Sequence, residues 1–236
     1  MAYIYEYIRT QGYEPLYFDE HYARLDALAR NYFFAPLKLS CQALRQVIIE
    51  ALREGKLSQS MMNVVYVRCF ADGSVEVRAD WSLYNSFSLR ALHPHSYLCR
   101  MSGEYITSNT SVKDSLVEFN QTTALVANRG VAIWVNEQDE VVAIDGAPVI
   151  AVFEDEVRFL ESGSGVEFEL AYQVAIKLKH NVVRGVVKVE DLPRAKELLY
   201  VDYRGVTALQ QLYDSTLYMD ITAEKIAAKV AAMERV

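Results

Sequence analysis

The chain has 236 residues, 52% of them hydrophobic and 23% charged, enough for one large domain or two of about 100–130 residues with real cores. Glycine (10) and proline (5) are too few for a linker-rich or low-complexity protein. With 24 Lys and Arg against 31 Asp and Glu the net charge is -7, which argues against a protein that coats nucleic acid or anionic lipid but leaves room for a local basic pocket for one small anion.

Tyr3 to Arg9 is rich in β-branched and aromatic residues and predicts a strand. Gly12 to Pro15 turns the chain into a second short strand at Leu16 to Phe18, and Asp19 is placed to cap a helix. That helix carries an apolar stripe through His21, Leu25, Leu28 and Ala29, and Pro36 ends it. Ser40 opens a second helix with Leu44, Val47, Ile48 and Leu52 on one face and Gly55 at its close. Met62 to Phe70 and Val75 to Trp81 read as strands around the turn signal Asp72-Gly73. Leu89 to Arg100 adds one further strand, making the first hundred residues a β-β-α-α-β-β-β layer with its own core.

Small polar residues then dominate from Ser102 to Ser111, the best linker candidate. The expected division is an N-terminal α+β domain over residues 1–103, a linker over 104–112 and a C-terminal α+β domain over 113–236. Beyond the linker, Val112 to Ala127 predicts a helix. Four short strands follow at Val131 to Val135, Val141 to Ile144, Val149 to Phe153 and Val157 to Leu160. Glu167 to Lys179 is an amphipathic helix, Val182 to Val189 a strand, Leu192 to Lys196 a short helix, Leu198 to Tyr203 a strand and Thr222 to Arg235 the last helix.

Cys41, Cys69 and Cys99 form no C-x-x-C pair, so neither a disulfide framework nor a zinc knuckle is expected. The first residues lack a signal-peptide pattern, and no apolar run approaches the ~18 residues of a membrane span, so a soluble, cytoplasmic protein without nucleic-acid or membrane partners is expected. Dinucleotide, P-loop, nucleophile-elbow and zinc-protease signatures are all missing. His93-Pro94-His95 has no partner motif, so no metal is expected, and the 16 tyrosines read as half-buried sheet residues.

Two stretches carry a resemblance. Tyr5-Glu6-Tyr7-Ile8-Arg9, followed after a turn by Phe18-Asp19-Glu20-His21-Tyr22-Ala23-Arg24-Leu25, resembles the F-E-x-I-R and E-H-x-x-R-L segments of fold-type IV pyridoxal-phosphate enzymes. This is the class IV family of branched-chain and D-amino-acid aminotransferases and 4-amino-4-deoxychorismate lyase. More faintly, Lys113 after the polar linker, the run from Glu140 to Phe159, Gly165-Val166 before a helix and Val189 to Ala195 follow the family's order. The resemblance implies a two-domain α+β, D-amino-acid aminotransferase-like fold lacking the first N-terminal strands. It also implies pyridoxal 5'-phosphate as cofactor, a small-molecule amino substrate and a homodimer.

It assigns roles residue by residue. Lys113 becomes the Schiff-base lysine and general base, expected at a domain boundary where ligand clefts form. Arg24 becomes the phosphate-binding arginine, and the backbone around Gly165 and Val166 supplies amide donors to the same phosphate. The carboxylate for the pyridine nitrogen falls at Ile144, or at Asp145 after a one-residue shift that on a strand would turn it to the opposite face. Three positions depart from the pattern: Val149 or Ile150 replaces an asparagine, Glu167 a threonine, and Asp202 or Tyr203 a later threonine. Residue by residue, Arg24 could instead be a surface arginine paired with Glu20 or Asp26, Lys113 a solvated helix-opening lysine, Asp145 a turn residue and Arg9 a strand-end charge. Two functions follow: a lyase releasing pyruvate to give 4-aminobenzoate for folate synthesis, or an aminotransferase. The alternative is a family member that kept the fold, lost the cofactor and serves as a binding or structural protein.

Overall fold

The computed structural model describes residues 1–81, 87–92, 96–102, 106–126, 130–212 and 216–234. By its contacts the chain divides into two compact units, Met1–Asn85 with Ser108–Ser111, and Ser86–Thr107 with Val112–Val236.

The first unit is an antiparallel sheet in the order β2-β1-β3-β4 with two helices on one face. Its strands are β1 (Tyr3–Gln11), β2 (Glu14–Pro15), β3 (Met62–Phe70) and β4 (Val75–Trp81); α1 spans Phe18–Phe33 and α2 Cys41–Glu54. The two-residue alternation of β3 buries Asn63, Val65, Val67 and Cys69 in turn. Against them α1 lays Phe18, Leu25 and Ala29, and α2 lays Leu44, Ile48 and Leu52. Each of these large apolar side chains contributes roughly 1.5–3 kcal/mol on burial. Ser40 caps α2 as expected, its hydroxyl accepting from the Ala43 amide at 3.2 Å. Asp19 does not cap α1. The helix starts one residue earlier, behind Tyr17 in a left-handed conformation, and Asp19 sits in the first turn, where its charge suits the helix dipole. The second strand likewise falls at Glu14–Pro15 rather than at Leu16 to Phe18.

The second unit contains a six-stranded mixed sheet, β11-β10-β9-β12-β13-β5, a three-stranded sheet, β6-β7-β8, and a small β14-β15 pair. In chain order the strands are β5 (Ser88–Leu92), β6 (Ser96–Arg100), β7 (Val131–Val135), β8 (Val141–Ile144), β9 (Val149–Val152), β10 (Val157–Leu160), β11 (Val182–Gly185), β12 (Glu197–Asp202), β13 (Gly205–Leu209), β14 (Gln211–Leu212) and β15 (Thr216–Leu217). Helices α3 (Ser111–Val126), α4 (Val166–Lys177) and α5 (Ile221–Glu234) complete it, with a 3-10 turn at Val189–Arg194. Phe159, Phe168, Val174, Leu199, Val206, Ile226 and Val230 form one core beneath α4 and α5. Ile133, Ile144, Val149, Leu198, Tyr200 and Leu209 form a second.

The single strand expected over residues 89–100 is two strands in two sheets, β5 parallel to β13 and β6 parallel to β7. Both belong to the second unit, so the division begins at residue 86 rather than after 103, and residues 108–111 return to the first unit. His93-Pro94-His95, Gly103 and Ala127 lie outside the described residues. Among the described residues no helix is long and apolar enough to cross a membrane, and no group of three or more His, Cys, Asp or Glu could hold a metal ion.

The β5–β13 pairing depends on a missing side chain. Gly205 has φ +129°, and a Cβ there would lie 2.0 Å from the Ser88 carbonyl oxygen. Gly205→Ala is therefore expected to cost roughly 2 kcal/mol or more. A denaturant midpoint equal to that of the parent chain would contradict the close approach.

Candidate functional site

The inward face of β1 carries Ile4, Glu6 and Ile8, a carboxylate in the middle of an apolar row. Glu6 is only 3% exposed, and a charge so placed is costly unless donors surround it. They do. Oε2 lies 3.0 Å from His21 Nδ1, while Oε1 accepts from Arg24 Nε at 2.9 Å and from Asn109 Nδ2 at 3.1 Å. His21 and Arg24, three residues apart on α1, share the face turned to β1. Burial pushes the Glu6 carboxyl up, but Arg24 and then His21 outweigh it and hold it below the ordinary 4.5.

Arg24 is thus not paired with Glu20 or Asp26; Asp26 binds Arg30 instead. Its Nε is spent on Glu6, whereas neither Nη has a hydrogen-bond partner among the described residues, and the side chain stays 22% exposed. That is a guanidinium held in place with its forked end available to an anion. Arg9 is buried rather than a surface charge at a strand end.

The opposite face of the sheet gathers residues whose meeting sequence reasoning did not foresee. The register places Tyr5 beside Arg68 and Tyr7 beside Tyr66. The Arg68 guanidinium lies 4.7 Å from the Tyr3 ring and 4.6 Å from the Tyr66 ring, and Tyr7 stacks on Tyr66 at 4.5 Å. The signal was present as alternation, Tyr3-Tyr5-Tyr7 and Tyr66-Arg68, once the two strands are set in register.

In the second unit Lys113 is buried, 6% exposed, in the first turn of α3 rather than solvated. Lys113, Val117 and Gln121 recur at intervals of four on one helix face, against the turn between β8 and β9. Asp145 (φ +51°) and Gly146 (φ +77°) make that turn in two consecutive left-handed residues. A Cβ at Gly146 would lie 2.4 Å from Val117 Cγ2 and 3.5 Å from Lys113 Cε, so glycine lets the lysine stem run beside the turn.

Ile144 and Asp145 sit in different physical settings. Ile144 ends β8 fully buried in the core, whereas Asp145 belongs to the turn, so strand alternation does not govern where it points. Its two carboxylate oxygens accept from Gln121 Nε2 at 3.1 and 3.0 Å. Burial raises its carboxyl above the ordinary value; Gln121, Arg204 and Arg90 pull it back and Asp202 adds to the rise.

Those last groups surround the β12–β13 turn, where the sequence departs from its resemblance. Arg204 donates from Nε to both Asp202 oxygens, at 3.2 and 3.0 Å. Arg90 donates to Thr207 and, at 3.4 Å, to Asp202. Burial pushes the neighbouring Tyr200 phenol up to about 12, keeping it neutral. Neither Arg90 nor Arg204 was singled out from sequence, because their charges meet Asp145 only through strand pairing.

Gly165 precedes α4 as its cap with no side-chain cap bond, and Val166 opens the helix, so first-turn amides point outward from the helix end. Glu167 follows, 7% exposed, placing a carboxylate in that same turn.

The raised carboxyl of Asp145 has a testable sign. Its contribution to stability is fully present below the unfolded value near 3.8 and is lost as pH climbs through the higher folded value. Asp145→Asn keeps an acceptor for Gln121 and removes the titration. Its Tm relative to the parent should therefore rise between pH 3 and pH 7; a constant difference would refute the raised, half-buried carboxyl.

No sequence-family model matches the chain, and no curated protein sequence does either. Solved structures do. The branched-chain aminotransferase of Thermoproteus uzoniensis, with norvaline, aligns over 97% of this chain and 84% of its own, with TM-score 0.80 and 15% identity. A Legionella pneumophila protein assigned as a 4-amino-4-deoxychorismate lyase covers 99% and 90%, with TM-score 0.77 and 13% identity. A hypothetical aminotransferase of Mycobacterium tuberculosis, in its form with α-ketoglutarate and PMP bound, covers 98% and 89%, with TM-score 0.77 and 12% identity. Through a sequence far diverged from theirs, the chain has the fold of these class IV aminotransferase, fold-type IV structures.

Proposed function

We propose that the chain is a cytoplasmic, pyridoxal-phosphate-dependent enzyme acting on a small amino compound, and that its reaction is pyruvate elimination like that of 4-amino-4-deoxychorismate lyase or amino-group transfer like that of a class IV aminotransferase. The observation that carries this reading is the buried Lys113, an amine-bearing side chain sheltered from water whose stem runs beside the turn at Gly146. Lys113 is the residue to hold the cofactor covalently, and Asp145, steadied by Gln121, is the carboxylate offered to its ring nitrogen. The resemblance assigns the phosphate to Arg24, whose two Nη groups suit phosphate oxygens, and to the amides at Gly165 and Val166. These donor types fit the group.

When bound, the cofactor supplies a conjugated ring that draws off the electron pair left at the substrate α-carbon. This chain's own part is to move the proton: Lys113 Nζ takes it from the α-carbon and delivers it at the end of the cycle. A homodimer is proposed with this function.

One observation favours a second reading. The buried Glu167 brings negative charge to the first turn of α4, where a phosphate would have to sit, as expected of a chain that kept the fold and lost the cofactor. A single titration separates the two. Added pyridoxal phosphate should produce an absorbance band near the visible edge, abolished by Lys113→Ala, and borohydride should fix one pyridoxyl group on the peptide containing Lys113. A protein that stays colourless in excess cofactor sinks the enzyme reading. If colour appears, pyruvate release from aminodeoxychorismate marks a lyase, and amino transfer to a keto acid marks an aminotransferase.

A further inference from the structure

Arg24 is useful to an anion only if its guanidinium is held with the right end outward, and an arginine side chain left to itself samples many rotamers. The holding group is in view. Glu6 sits 3% exposed between Ile4 and Ile8, on the strand face that otherwise feeds the apolar core, and an apolar residue there would cost far less to bury. The carboxylate instead gathers donors from three segments: His21 and Arg24 on α1, and Asn109 in the stretch that returns to β1. That stretch is pinned independently by the Tyr5 amide, which donates to the Asn109 carbonyl at 3.0 Å, and by a bridge between Ile4 and Thr110.

The bonding pattern matters more than the number of bonds. Glu6 engages Arg24 through Nε alone, with Asn109 Nδ2 on the same oxygen and His21 on the other. A carboxylate that took the forked end would consume the guanidinium; one that takes the inner nitrogen fixes its plane and leaves both Nη groups for a dianion.

We propose that Glu6, with Asn109 sharing its Oε1, is a positioning residue that presets Arg24 as a clamp for a phosphate monoester. The assignment rests on the cofactor reading above and adds to it a residue that touches no phosphate itself. A structural role for Glu6 would change overall stability and weaken every ligand alike. A positioning role changes selectivity for the phosphorylated ligand.

The test compares binding of pyridoxal phosphate and of pyridoxal to the full chain, without substrate, read from the absorbance band. Glu6→Gln keeps the shape but replaces one acceptor oxygen with a donor. Affinity for pyridoxal phosphate should fall about tenfold or more while affinity for pyridoxal changes less than about twofold. In an Arg24→Lys background the same substitution should make no further difference, because the clamp is already gone. Should Glu6→Gln fail to fold, Asn109→Ala is read by the same ratio, and a smaller fall in selectivity supports the assignment. An equal loss of both ligands, or unchanged selectivity in Glu6→Gln or its substitute while Arg24→Lys lowers it, overturns the assignment and leaves the cofactor reading standing. Parent protein that binds neither aldehyde overturns both.

Discussion

A carboxylate taken out of water must be surrounded by donors, and in the first unit that requirement arranges everything near Glu6. The apolar stripe of α1 would allow the helix to slide or rotate against the sheet at little cost, since hydrophobic contact has no direction. Hydrogen bonds do have direction. His21 and Arg24 both reach Glu6 only if α1 keeps one rotation and one axial position over β1, and Asn109 reaches it only if the returning stretch lies along the strand. The Y-E-Y-I-R and E-H-x-x-R-L segments are, in physical terms, two halves of one buried polar network.

A different constraint governs the second unit. There the turn after β8 must come so close to α3 that residue 146 has no room for a side chain, and Lys113, Val117 and Gln121 all line that contact. The turn gives Asp145 a conformation that an ordinary strand residue would not adopt, and the helix supplies the amide that steadies it. Around the next hairpin, Arg90, Arg204 and Asp202 place a balanced set of charges within electrostatic reach of Asp145. The chain therefore tunes this carboxylate by several opposing groups rather than by one partner. It also carries Glu167, buried in the first turn of α4, where the pattern it resembles has a threonine.

What could be read from the sequence is what local patterns encode. Ser40 before an apolar stripe, Asp72-Gly73 between alternating runs, and the four short strands from Val131 to Leu160 all appear where periodicity and turn chemistry put them. Arg24 and Lys113 stood out only through the segments that carry the resemblance; Arg24 is half-buried against Glu6 and Lys113 is buried in the first turn of α3. Long-range pairing was invisible. Residues 89–100 look like one strand because nothing nearby tells the chain that β5 will join β13 and β6 will join β7. The same blindness hid Arg90 and Arg204, as well as the Tyr3, Tyr66 and Arg68 stack, since each depends on which strand lies beside which. Asp145 is read from sequence either as a carboxylate one residue past the strand that ends at Ile144 or as a turn residue, and it lies in that turn, where strand alternation no longer decides where a side chain points. The low glycine count proved a matter of placement, with Gly146 and Gly205 each standing where another chain element approaches too closely for any side chain.

The first unit is not one continuous stretch: residues 108–111 complete what residues 1–85 begin. During vectorial synthesis, β1 leaves the ribosome early, with Glu6 already committed to a core it cannot enter cheaply alone. The amide of Asn109 emerges only after the whole run of 86–107, which belongs elsewhere, has been made. Once β4 has ended at Trp81, the growing chain must therefore hold its N-terminal sheet with an incompletely satisfied carboxylate for the 28 residues up to Asn109. Permuting the chain to begin at residue 108 would place Asn109 ahead of Glu6, and the order in which that carboxylate gains its donors would be reversed.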